Sequence, residues 1–76
     1  MVTYRLTVRQ VNNDSGMRTA YGVALYRDGI CLRAAEDLSP DREAVGRLAD
    51  LFNAEALDPV HFDQAIEDFL YDGSAG

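Results

Sequence analysis

The sequence predicts an α+β domain: a three-stranded antiparallel meander followed by two helices packed on one face, in the order β-β-β-α-α. Three observations predict it. Apolar and polar residues alternate with period two over the first part of the chain, an Asp28-Gly29 pair separates two such runs, and beyond Ser39-Pro40 the apolar spacing changes to three and four.

The first strand is Val2-Thr3-Tyr4-Arg5-Leu6-Thr7-Val8-Arg9-Gln10, with Tyr4, Leu6 and Val8 facing inward and Arg5, Thr7 and Arg9 outward. Asn12 to Gly16 has the composition of a connecting loop. Met17 to Arg27 forms the second strand, with Tyr21, Val23 and Leu25 on one face and a small-residue floor of Ala20, Gly22 and Ala24, then Tyr26, on the other. Asp28-Gly29 is the preferred pair for a type I′ turn, which needs positive φ at both positions. The third strand runs from Ile30 to about Glu36, and simple alternation turns Ile30, Leu32 and Ala34 inward.

Ser39-Pro40 reads as a helix start, with Ser39 capping exposed amides and Pro40 in the first turn. Ala44, Val45, Leu48, Leu51 and Phe52 then recur at helical spacing, and Glu43 with Arg47 is a favourable i,i+4 pair. Asn53 to Leu57 is a break. Asp58-Pro59 repeats the cap-and-proline device, Phe62, Ala65, Ile66, Phe69 and Leu70 make a second stripe, and Gly73 is a stop. One domain over residues 1–73 and a frayed tail at 74–76 follow from the length.

The 76 residues include 47% hydrophobic and 26% charged types, a globular balance. No apolar run spans a bilayer and the amino terminus has no apolar leader, so a cytoplasmic protein with no membrane partner is expected. Cys31 and His61 are each alone, which excludes a Cys- or His-based metal cluster; Cys31 reads as a small packing residue, and His61 as a capping or surface residue. With no phosphate-binding glycine loop and no nucleophile–base motif, no catalytic residue, metal or cofactor is assigned, and the protein is expected not to be an enzyme.

Charge is divided unevenly. Residues 1–38 hold five Arg and four acids, whereas residues 39–76 hold two Arg and nine acids. On the last helix Asp63 and Glu67 lie together on one flank of the apolar stripe and Asp68 and Asp72 on the other, with Gln64 and Tyr71 between them. These six residues are the candidate partner-binding set. The candidate partner is another protein with a basic surface, met by electrostatic steering and charge-assisted hydrogen bonds. The simplest alternative is a solvated acidic face that keeps a small domain soluble.

Arg5, Arg9, Arg18, Tyr26 and Arg33 fall on the sheet face away from the helices as a secondary set, suited to stacking on bases or to an acidic partner. The net charge of −6 opposes direct nucleic-acid binding. Self-association into a homodimer, through the Ala20-Gly22-Ala24 floor or an open strand edge, is a further option for so thin a domain.

Tyr21-Gly22-Val23, Asp28-Gly29, Asp37-Leu38-Ser39 and, above all, Leu57-Asp58-Pro59-Val60-His61-Phe62 with Ala65-Ile66-Glu67-Asp68-Phe69-Leu70 resemble a family of small uncharacterised bacterial proteins, frequent in Firmicutes and described as a domain of unknown function. The resemblance spans roughly residues 4 to 71 and departs from the family in having Arg but no Lys. It implies a stand-alone cytoplasmic domain and attaches no activity to any position. The expected function is therefore a regulatory or adaptor module whose acidic helix docks a protein. The alternative is an acidic inhibitor that imitates nucleic-acid phosphates, as small phage-borne proteins can.

Overall fold

The computed structural model describes residues 1–75, including all their side chains except those of Asn13 and residues 72–75. Three strands, β1 (Val2–Asn13), β2 (Gly16–Arg27) and β3 (Ile30–Ser39), form an antiparallel meander in the order β1-β2-β3. Two helices follow, α1 (Arg42–Ala54) and α2 (Phe62–Ala75), the second led in by a 3-10 turn at Pro59–His61. This is the predicted α+β order.

The first hairpin is longer and tighter than the loop composition suggested. Register continues to Asn13 opposite Gly16, leaving only Asp14 and Ser15 in the turn, with Gly16 at φ 116°. The second turn behaves as its sequence requires, since Asp28 and Gly29 sit at φ 52° and 84°, both in the left-handed region.

β3 departs most from simple alternation. Its register against β2 slips twice, between Leu25 and Tyr26 and again between Tyr21 and Val23, so that Ala35 opposes Val23 and Ser39 opposes Tyr21. Such bulges bend a strand and re-aim its side chains. Leu32, at the first slip, is consequently exposed, Ala34 also faces solvent, and Ala35 packs against the core in its place; Ile30, before the slip, is exposed at the start of the strand. Cys31 is an exposed free thiol, not a packed one.

The wider bulge holds Asp37 at φ 59° and lays β3 closely over Gly22, where a Cβ would lie 2.2 Å from the Ala35 carbonyl oxygen. Only glycine fits there.

The core joins Tyr4, Val23 and Leu25 of the sheet to Val45, Ala49 and Phe52 of α1 and to Phe62 and Ile66 of α2. Its centre is an aromatic trio. The Tyr4 ring meets Phe52 edge-on at 5.2 Å and Phe62 nearly parallel at 5.8 Å, geometries that favour aromatic pairs beyond their buried area. On α1 the buried stripe is rotated from the expected one: Ala49 is inside, and Leu51 is 50% exposed.

Helix starts are also displaced. Ser39 remains in the strand, and Asp41 caps α1, accepting from the amides of Glu43 (3.0 Å) and Ala44 (3.3 Å), while the Ser39 hydroxyl accepts from the Asp41 amide. α2 runs past Gly73 to Ala75, and Gly76, the last residue of the expected tail, lies outside the described residues.

A side-chain amide joins the layers. Asn53 on α1 accepts from the Tyr4 amide and donates to the Tyr4 carbonyl, both at 2.8 Å, while the Tyr4 hydroxyl donates to the Leu57 carbonyl at 2.7 Å. One residue of edge strand β1 is thus fixed to α1 and to the loop beyond it. Burial, and then the Asp58 carboxylate, raise the Tyr4 phenol above its ordinary pKa, so it stays a donor.

Candidate functional site

The two sets of residues singled out in the sequence meet different fates. On the sheet, the basic side chains are largely consumed within the chain. Arg9 of β1 reaches across β2 to Glu36 of β3 at 2.6 Å, over positions where β2 has no large side chain. Arg18 forms a two-point pair with Asp37 at 2.9 and 3.1 Å. That hydrogen bond holds the Asp37 carboxyl below its ordinary pKa and raises Arg18. Arg5 lies over the Tyr26 ring, 5.4 Å from its centroid.

Arg33 is not on this face at all. The slip near Leu32 puts it opposite Leu25, on the helix side, where it pairs with Asp63 of α2 at 3.0 Å. The five secondary candidates therefore do not form one surface. The floor beneath them is closed as well, because Ala20 and Ala24 are at most 2% exposed and the bulge of β3 crowds Gly22.

The acidic set divides along α2 as the helical period requires. Asp58 accepts from the Val60 amide at 3.0 Å and shapes the 3-10 turn in which His61 is exposed. Phe62 and Ile66 then anchor the helix. One flank, with Asp63 and Glu67, faces β3 and shares a shallow groove with Arg33 and Ala35. The other, with Asp68, faces α1. Gln64 donates to Asp68 at 3.2 Å, and Tyr71 is 84% exposed. The Asp72 side chain, the sixth member of the set, lies outside the described residues. Glu67 and Asp68 are exposed and form no ion pair among the described residues.

Sequence reasoning missed what lies beside Asp68. α1 and α2 leave between them a groove of about 530 Å³ floored by Leu48, Phe52, Leu57 and Phe69. Leu51 overhangs it, and the carboxylates of Glu55 and Asp68 stand on opposite sides. The available signal was the surplus of apolar positions on the first helix, more than one stripe can bury. From Leu48 onward the chain has seven acids and no Lys or Arg. The charged residues that line the groove, Glu55 and Asp68, are both acids.

Comparison with known proteins adds one relation. A family of unknown function (DUF6514) matches residues 1–72, nearly the whole chain. The chain belongs to that family. No curated protein and no solved structure matches it. Membership places the chain in a family of unknown function and assigns no residue a role. Among the described residues, no cluster of three or more His, Cys, Asp or Glu could hold a metal ion, and no helix is long and apolar enough to cross a membrane.

Proposed function

We propose that this DUF6514 protein is a non-enzymatic interaction module that docks a basic surface of another protein on the exposed side of α2. The observation that carries this reading is the uneven fate of the acids. Glu36, Asp37 and Asp63 are neutralised by Arg within the chain, whereas Glu67 and Asp68 are exposed and form no ion pair among the described residues, alongside Gln64 and the bare Tyr71 ring. An acidic rim with a protruding aromatic is a recurrent composition for recognition of Arg- and Lys-bearing partners. The exposed free thiol of Cys31 fits a reducing compartment, and we place the module in the cytoplasm of a bacterial cell, as the resemblance implies.

Affinity capture from host lysate tests this, using the wild-type chain beside Glu67→Gln with Asp68→Asn. The expected result is a protein captured by the wild type and lost with the double variant, with a yield that falls as salt is raised. Identical captures by both baits would return these carboxylates to a purely solvating role. A captured protein that nucleic acid displaces would favour the phosphate-imitating inhibitor over the adaptor.

A further inference from the structure

We infer that the groove between α1 and α2 receives an amphipathic α-helix of the partner, with apolar anchors on the groove floor and Arg or Lys along both flanks of its apolar stripe. The inference rests on the docking reading and specifies the contact. Three features of the groove define its occupant.

The floor is apolar and incompletely covered. Leu48, Leu57 and Phe69 are half-buried, and Leu51 is 50% exposed. An apolar side chain entering from outside would complete their burial, which is favourable.

The walls are mainly α1 and α2, whose backbone groups are bonded within each helix, and the amides of Glu55 and Leu57 in the connection after α1 bond back to the Leu51 and Phe52 carbonyls. They offer no main-chain edge to an extended peptide, which would bring its own N–H and C=O groups against Leu and Phe without partners. A helix satisfies its backbone internally and brings only side chains. Leu48 to Ala54 at the end of α1 and the Glu55 cap beyond it span about 10 Å, which matches an i to i+7 anchor spacing on the incoming helix.

Charge fixes the remainder. Glu55 stands on the α1 side and Asp68 on the α2 side, with no Lys or Arg from residue 48 onward to neutralise either. Cations on both flanks of the incoming stripe are therefore matched, and anions are rejected. A second copy of this chain offering the same face would set like charges against one another, which assigns the groove to a different protein.

The test is a titration of the isotope-labelled full chain, followed by amide NMR, with a synthetic amidated peptide of about 15 residues. The peptide carries Leu at i, i+3, i+4 and i+7 with Arg on both flanks. A scrambled peptide of the same composition and a peptide with Glu for each Arg serve as controls. The expected result is saturable shifts at Leu48, Leu51, Leu57 and Phe69 with the Arg peptide and none with either control.

Leu51→Arg should weaken binding about tenfold or more, as for an anchor contact. Should that variant fold poorly, Glu55→Gln with Asp68→Asn leaves the floor intact and should still weaken binding several-fold and flatten its salt dependence. The inference is overturned if the groove amides do not move, if the scrambled peptide binds equally, or if the same amides shift with protein concentration alone, which would give the groove to a second copy. Lysate capture that depends on Glu67 and Asp68 while the peptide leaves the groove unmoved would keep the docking face and remove the helix from it.

Discussion

α1 and α2 start from similar material, an Asp cap, a proline near the entry and an apolar stripe, yet they are used differently. α1 buries Val45, Ala49 and Phe52 along most of its length, and Asn53 ties its last turn to β1. Among the described side chains of α2, the fully buried ones are Phe62 and Ile66, both in its first two turns; Phe69 further on is half-buried, and by Tyr71 the helix presents an aromatic ring to solvent. One helix holds the domain together; the other is held at its beginning and offers its remainder. The charges follow the same division, since the acid of α2 nearest the anchor, Asp63, is paired with Arg33, while Glu67 and Asp68 beyond it form no ion pair among the described residues.

The contrast can be broken most forcefully at the anchor. Phe62→Ala removes a ring from the aromatic trio and should cost about 3–5 kcal/mol, comparable with the whole stability of so small a domain. Tyr71→Ala on the same helix should stay within about 0.5 kcal/mol, because the ring packs on so little. Urea denaturation of both variants measures the difference. Equal effects would mean that α2 is packed along its whole length.

A smaller effect is expected where α1 meets the sheet. Asn53→Ala leaves the Tyr4 amide and carbonyl, partly buried, without their partner, and should cost about 2 kcal/mol. Faster hydrogen exchange at the Tyr4 amide than at its neighbours would locate the loss.

The smallest effect belongs to the Arg18–Asp37 pair on the bare face. Its carboxyl is held below the ordinary value, chiefly by the hydrogen bond from Arg18, so its contribution is complete above the ordinary carboxylate range and is lost as pH falls through the lowered folded value. Melting temperatures of the wild type and Asp37→Asn should therefore differ slightly at about pH 7 and converge toward about pH 3. Asn tolerates the positive φ at this position, which isolates the charge. A gap that widened on acidification would contradict the assignment.

Much of this arrangement was legible from residue types. Asp28-Gly29 declared its turn because few pairs accept two positive φ values, and the period-two faces of β1 and β2 needed only Tyr4, Val23 and Leu25 to orient them. β3 was not legible, because a bulge changes which face a residue occupies without changing composition. The slip at Leu32 moved Ala35 inward, exposed Leu32 and carried Arg33 to the helix side. Asp37 was the one available hint, as Asp tolerates the left-handed backbone that such a bulge needs. Asn53 read as a breaker because nothing local to it signals a hydrogen bond to a residue 49 positions earlier. Of the candidate site, the acids were visible by spacing, but the apolar groove depends on how far α1 rotates, and that is decided by packing.

The clasp on Tyr4 also decides which part of β1 is open to another strand. An uncapped border strand is a template on which other chains can stack, ladder upon ladder, toward fibres. The Asn53 amide supplies one donor and one acceptor with the spacing of a neighbouring peptide group, so at Tyr4 the ladder is already terminated from within. A strand adding to β1 would find its groups free only beyond Tyr4, on the stretch of Leu6 to Gln10. A single carboxamide thus serves as an internal end-stop against polymerisation.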